Sequence, residues 1–133
     1  GHIRGKDGIY AATLLTEMMA VTKLKLSELY AEITAQFGEV FFVDADFKMT
    51  QKNKERLTEV LLAERKLPEF PHEIDHVSYR DGCKVYFRNG GWVIARFSGT
   101  EPLLRIYAEM ADQRSADELI AIYREFLNLD GAE

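Results

Sequence analysis

The feature that most constrains the fold is a series of short strand-forming segments between Ile74 and Met110, each followed by turn residues. IDHVSYR and CKVYFR lie on either side of Asp81-Gly82, a pair typical of two-residue hairpin turns. Asn89-Gly90-Gly91 then precedes WVIARFS, and SGTEP precedes LLRIYAEM. Because strands joined by such short turns run antiparallel, this part of the chain predicts an antiparallel sheet.

Two helices are predicted ahead of the strands. The segment Gly8–Lys23 is rich in helix formers and is apolar on almost all sides, so it requires cover from other parts of a protein. Ser27 is a good N-cap for the segment ELYAEITAQF, and Gly38 is a typical C-terminal stop.

The remaining segments complete an α+β pattern. Glu39–Met49 contains strand formers, and Thr50 is the predicted N-cap of a helix through QKNKERLTEVLLAERK. Ser115 and Glu118 form a capping-box pattern before the last helix. The predicted apolar stripe of that helix is Leu119, Ile122, Tyr123 and Phe126. The prediction is an α+β fold: a mainly antiparallel sheet of four to five strands with helices on one face, preceded by two helices.

Composition narrows the classes of function. The 133 residues include 17 basic and 22 acidic side chains, a formal net charge of −5, which argues against broad binding to nucleic acids or anionic membranes.

Cys83 is the single cysteine, so it is predicted to be a reduced strand residue of a cytosolic protein. No apolar run approaches the ~20 residues that span a bilayer. His72 and His76 have no partner at metal-ligand spacing, and no metal site is predicted.

A polar cluster interrupts the last two strand segments. In a strand, Arg96 and Ser98 point to the same face; Gly99 permits backbone conformations that let N–H groups converge, and Thr100 adds a hydroxyl. Arg105 follows in the next strand. Guanidinium groups suit phosphate or carboxylate oxygens, so the cluster is a candidate anion site.

The cluster is poorly equipped for chemistry. Glu101 is the only general base within it, so the residues can hold an anion but not readily transform one. From residue types alone, an equal alternative is a strand connection whose arginines pair with Glu101, Glu109 or solvent. The loop is neither a Walker loop nor a dinucleotide-binding loop, because no GK[ST] follows the glycine and no GxGxxG occurs.

RFSGTEPLLRIYAE, preceded by GGWVIA, closely resembles the phosphate-binding loop in the C-terminal domain of the α-D-phosphohexomutases. These are the phosphoglucomutase/phosphomannomutase enzymes and their glucosamine-phosphate relatives. GHIRGKDGIYAATLLTEM resembles the segment that leads into the last helices of their third domain. The resemblance implies that residues 1–38 are a helical remnant of domain three. Residues 39–133 would form domain four, whose fold is similar to the TATA-binding-protein type. The chain, which starts without a methionine, is expected to be the tail of a four-domain enzyme.

The resemblance also implies a function. These isomerases interconvert hexose 1-phosphate and hexose 6-phosphate through a phosphoserine and a bisphosphorylated sugar, with Mg²⁺ on a loop outside this chain. The residues that match the family's grip on the phosphate not being transferred are Arg96, Ser98, Gly99, Thr100 and Arg105. His2 and Lys6 resemble positions near the substrate in domain three and are possible substrate contacts; for this isolated chain, a solvated segment is the favoured interpretation. No phosphoserine, metal-loop or sugar-loop motif is present, so the chain alone is expected to be inactive.

The expected ligand is a glucose or mannose phosphate, with no nucleic acid or membrane partner, in the cytoplasm. The N-terminal helices offer a surface for self-association. Phe97 stands where the glucosamine branch commonly has proline, which favours the phosphoglucomutase/phosphomannomutase branch. The alternatives are a phosphoglucosamine mutase fragment, a non-catalytic anion- or RNA-binding module, and a structural domain with an incidental arginine loop.

Overall fold

The computed structural model describes residues 5–131, which form two compact units divided between Glu39 and Val40. The first unit consists of α1 (Gly8–Thr22) and α2 (Leu26–Phe37), so both predicted helices are confirmed. None of the helices in the described residues is long and apolar enough to cross a bilayer.

The start of α2 differs from the prediction. The N-cap is Lys25, and Ser27 lies inside the first turn. The Glu28 carboxylate accepts a hydrogen bond of 2.7 Å from the Lys25 amide, so the exposed donor at this end is satisfied by an acidic side chain of the first turn. The predicted capping role of Ser27 is therefore wrong.

The second unit contains a five-stranded sheet and two further helices. Its elements are β1 (Phe41–Lys48), α3 (Gln51–Thr58) with a π-helical turn (Glu59–Ala63), β2 (Ile74–Ser78), β3 (Cys83–Phe87), β4 (Trp92–Phe97), β5 (Leu103–Met110), α4 (Gln113–Phe126) and a 3₁₀ turn (Leu129–Gly131). The strand order is β1-β5-β4-β3-β2, and every neighbouring pair is antiparallel. The predicted α+β class is confirmed.

The helices cover one face of this sheet. Cys83, Val85 and Phe87 alternate into the core along β3, as do residues of β4 and β5. Leu57 and Leu61 of the α3 region and the α4 side chains join the same core, and α4 packs against β1 and β5. The period of two along each strand leaves the other face of the sheet exposed.

The third helix is shorter than predicted. Thr50 is its N-cap, as expected, and accepts a hydrogen bond of 3.3 Å from the Asn53 amide. The helical run ends at Ala63 rather than at Lys66, because Arg65 adopts a left-handed φ of 54°. The chain then enters the proline loop.

The last helix begins earlier than the capping-box pattern indicates. Asp112 is its N-cap and accepts hydrogen bonds from the Ser115 amide at 2.9 Å and the Ser115 hydroxyl at 2.7 Å. A carboxylate in this position satisfies the free amides better than Ser115 can from within the first turn. Phe126 is 37% exposed, so its predicted place on the buried stripe is wrong; Leu127 is buried instead.

This cap predicts a pH dependence of stability. The hydrogen bonds from the Ser115 amide and then its hydroxyl hold the pKa of Asp112 below its usual value of 3.8. The contribution is therefore fully present above the unfolded-state pKa and is lost as pH falls through the lower, folded-state pKa. Asp112→Asn keeps an acceptor oxygen but does not titrate. We expect the difference in thermal midpoint between wild type and Asp112→Asn to be constant near neutral pH and to shrink below pH 3.8. A difference that stays constant in acid would contradict this.

Candidate anion-binding site

Two arginines lie side by side on the exposed face of the sheet. Arg96 of β4 and Arg105 of β5 are register partners, and Asp46 of β1 is the register partner of Arg105. Like charges directly opposite each other are unfavourable. Each arginine has an aspartate beside it: Arg96 Nε donates to Asp81 Oδ1 at 3.0 Å, and Arg105 Nε lies 3.7 Å from Asp46 Oδ1. The guanidinium side chains remain 48% and 40% exposed.

Both arginines retain capacity for a ligand. Within residues 5–131, the one side-chain hydrogen bond of Arg96 is made by Nε, so its terminal nitrogens are available. The Arg105 side chain is 40% exposed, so it can reach a ligand, although its Nε is enclosed and has no hydrogen-bond partner within the same residues. Interaction with the Tyr107 side chain, and then with Asp46, raises the pKa of Arg105. Arg96 and Arg105 therefore present two permanent cations on neighbouring strands.

Gly82 accounts for the position of Asp81. Its φ is +100°, and an added Cβ would lie 2.6 Å from the Ala95 carbonyl oxygen and 3.0 Å from the Arg96 Cα. Only glycine allows the β2–β3 turn to approach the end of β4 this closely. The Asp-Gly signal predicted the hairpin, but nothing in the sequence indicated that this turn touches Arg96.

The loop Ser98–Pro102 connects the two arginine strands. The Ser98 amide donates to the Leu103 carbonyl at 2.8 Å, which closes the loop at its base. The Ser98 hydroxyl lies 3.4 Å from both the hydroxyl and the amide of Thr100, so the two predicted hydroxyls are adjacent. Among the described residues, no hydrogen bond uses the amides of Gly99 and Glu101 as donors.

Gly99 differs from the expectation in one respect. It does not adopt a positive φ, and an added Cβ would meet no atom within 4 Å. The expectation of a conformation reserved for glycine is therefore wrong, because the exposed loop needs no positive φ at this position. The open space beside Gly99 leaves the backbone accessible to a ligand.

A lysine missed by the sequence analysis contacts this loop from α3. Lys54 Nζ donates to the Ser98 carbonyl at 2.7 Å and to the Glu101 carbonyl at 3.2 Å. Lys54 precedes the loop by more than 40 residues, and no motif links the two segments. The arrangement thus combines cations, hydroxyls and backbone donors, and it suits binding an anion.

The other candidate residues do not extend the cluster. His2 lies outside the described residues, and Lys6 is an exposed residue of the first unit. His76 contacts the adjacent Asp75 at 2.7 Å and stacks on Tyr86. Across residues 5–131, no three His, Cys, Asp or Glu side chains converge to hold a metal ion.

Fold and site together define a class: an α+β domain that presents opposed arginines and a hydroxyl-bearing loop at one end of an antiparallel sheet. Residues 25–125 match the sequence profile described as the phosphoglucomutase/phosphomannomutase C-terminal domain. Residues 1–37 match the profile of the alpha/beta/alpha domain III of the same enzymes. The chain belongs to the phosphoglucomutase/phosphomannomutase family, as a C-terminal part of a phosphohexomutase.

Similar proteins agree with this placement. A phosphoglucomutase/phosphomannomutase of Thermococcus kodakarensis is 33% identical over 90% of this chain and 24% of its own length. A phosphomannomutase of Mycoplasma genitalium is 34% identical over 95% of this chain and 26% of its own. A probable phosphoglucosamine mutase of Methanosphaera stadtmanae is 35% identical over 61% of this chain and 18% of its own. The chain thus spans about a quarter or less of these relatives, which include mutases of different hexose phosphates.

The fold is also found in a solved structure. The chain matches the open form of parafusin, a phosphoglucomutase of Paramecium, with a TM-score of 0.57 and 22% identity. The match covers 96% of this chain and 28% of that structure. At this identity the likeness supports the fold alone.

Proposed function

We propose that this chain is the substrate-phosphate-binding portion of a phosphoglucomutase/phosphomannomutase, an isomerase that interconverts hexose 1-phosphate and hexose 6-phosphate through a phosphoserine and a bisphosphorylated sugar. The observation that carries the proposal is the opposed pair Arg96 and Arg105 beside the Ser98–Thr100 hydroxyl pair, in a segment that matches the family's C-terminal domain. In this role, the proposed ligands of the phosphate are Arg96, Ser98, Gly99, Thr100 and Arg105.

The chemistry of these groups suits a grip on phosphate rather than on sugar. Two guanidinium groups provide charge-assisted hydrogen bonds to a dianion, and hydroxyls and amides add neutral donors. None of these donors distinguishes the two ends of a hexose, so a bisphosphorylated sugar can bind in either orientation. The energy of holding a remote phosphate can also orient the reacting end of the substrate.

The reacting groups are proposed to lie elsewhere in a longer protein. The described residues do not fit a Mg²⁺ ion, because they bring no group of three potential metal ligands together. We assign Mg²⁺ and the phosphoserine to parts outside this sequence. In the same scheme, residues 1–38 are the end of domain three and residues 39–133 are domain four. His2 and Lys6 are then candidate substrate contacts of domain three.

A titration tests the phosphate grip. We expect inorganic phosphate and glucose 1-phosphate, at millimolar concentration, to shift the backbone signals of Ser98, Gly99 and Thr100 and the side-chain signals of Arg96 and Arg105 in NMR spectra of the 133-residue chain. Signals of Arg65 and Arg124 should not move. The chain alone should give no mutase turnover, because a phosphate grip supplies no nucleophile. An unchanged spectrum would refute the grip, and turnover by the pure chain would refute the division of roles.

We also propose a class of hexose, a cellular location and a covering partner for α1. Phe97 favours a glucose or mannose phosphate over a glucosamine phosphate as substrate. A cytoplasmic location suits an enzyme of sugar phosphates with a single buried, unpaired cysteine. Helix α1 buries no residue, and Ile9 is 84% exposed, so we propose that this helix is covered by the rest of domain three or by a second copy of the chain.

A further inference from the structure

The clearest unassigned feature beside the arginines is Lys54, whose ammonium group contacts both ends of the loop. This group donates hydrogen bonds to the carbonyls of Ser98 and Glu101, the residues on either side of Gly99 and Thr100. The start of α3 is fixed against the same loop, because the Met49 amide donates to the Pro102 carbonyl at 3.0 Å. Lys54 thus reaches the loop from a helix that is already anchored to it.

Because the peptide bond is planar, the contact between Lys54 and the Ser98 carbonyl also fixes the direction of the next amide in the chain, that of Gly99. In a trans peptide the C=O and N–H groups point in opposite directions. Because the Ser98 carbonyl points to Lys54, the Gly99 N–H must point away from Lys54. That amide donates no hydrogen bond within the described residues, so it is a donor held ready for a ligand. The Glu101 carbonyl precedes Pro102, which has no N–H, so this second contact fixes the loop without orienting another donor.

We propose that Lys54 is a positioning residue of the phosphate site: it holds the Ser98 and Glu101 carbonyls away from the ligand and thereby directs the Gly99 amide toward it. The proposal rests on the proposed phosphate-binding function and adds a residue to it. Without Lys54 the loop samples other peptide orientations, some of which turn carbonyl oxygens toward the bound anion. Ordering the loop at the moment of binding then reduces affinity.

The test compares three variants of the 133-residue chain. Lys54→Met removes the donors but keeps most of the side-chain length, and Lys54→Arg keeps the charge and the donors. Lys52→Met is the matched control, since it removes the same charge from an exposed lysine of the same helix. The measurements are the dissociation constant for inorganic phosphate, the NMR order parameters of Gly99, Thr100 and Glu101 without phosphate, and the thermal midpoint.

We expect Lys54→Met to weaken phosphate binding about five- to tenfold and to lower the order parameters of the loop, with little change in thermal midpoint. Lys54→Arg should restore most of both properties, and Lys52→Met should resemble wild type. Equal weakening by Lys52→Met, or wild-type affinity and loop order in Lys54→Met, would overturn the proposed role of Lys54. Either result would leave the proposed phosphate-binding function standing. A wild-type chain that binds no phosphate would instead overturn the proposed function and this proposal with it.

Discussion

Replacing Arg96 or Arg105 by alanine will weaken the binding of inorganic phosphate to this chain by about ten- to a hundredfold. Each change removes one of the two cations that lie opposite each other on β4 and β5. In a complete mutase that contains this chain, part of the loss should fall on kcat as well as on KM, because the held phosphate orients the reacting end. Phosphate titrations of the chain and steady-state kinetics of the mutase measure the two effects.

Matched variants show whether the effect is specific to the site. Arg88→Ala removes an exposed arginine that is ion-paired with Glu73 at 2.9 Å, as Arg96 is with Asp81, and it should leave affinity unchanged. Arg96→Lys should restore only part of the affinity, since an ammonium group keeps the charge but not the planar fork. Ser98→Ala should cost less than either arginine change, because it removes one neutral donor. Unaltered binding in both arginine variants would mean that the loop is only a strand connection.

The largest loss of stability is expected from Tyr123→Ala. Tyr123 of α4 is fully buried; its ring lies 5.7 Å from that of Phe70, and its hydroxyl donates to Cys83 Sγ at 3.9 Å. Removing a buried aromatic ring costs about 3–5 kcal/mol of the free energy of unfolding, a large share of the total for a small domain. Urea denaturation followed by circular dichroism measures the change.

Phe126→Ala provides the control for this prediction. It removes an aromatic ring from the same helix, but Phe126 is 37% exposed, so the loss should be much smaller. Tyr123→Phe should also be mild, because the hydroxyl makes one long contact with sulfur. Similar losses for Tyr123→Ala and Phe126→Ala would contradict the burial pattern of α4 and restore the stripe expected from the sequence.

The elements with strong local signals could be predicted from the sequence. The bounds of β5 agree with the segment LLRIYAEM, and Asp81-Gly82 lies at the β2–β3 turn. Thr50 caps α3 as expected. The candidate cluster was also visible, because alternation along a strand and a short turn bring Arg96, Ser98 and Arg105 together without any distant contact. These features depend on residues close to one another in the chain.

Helix starts were less predictable, since several acceptors compete near each one. Lys25 with Glu28 replaced Ser27 at α2, and Asp112 replaced Ser115 at α4. In each case an acidic side chain accepts a hydrogen bond from an amide at the helix start: Glu28 from the Lys25 amide, and Asp112 from the Ser115 amide. Composition and periodicity predicted that both segments are helices. The choice among nearby N-cap residues depends on the backbone geometry at each helix start.

Only the tertiary structure determined what surrounds the two arginines. Asp46 reaches Arg105 because β1 pairs with β5, and Asp81 reaches Arg96 because Gly82 packs against the end of β4. Lys54 reaches the loop because α3 begins against Pro102. A local pattern specifies that a segment is a strand or a helix, but not which distant segment packs beside it. That choice follows from burying the apolar faces of all the elements in one core, and it places these charged groups at the site.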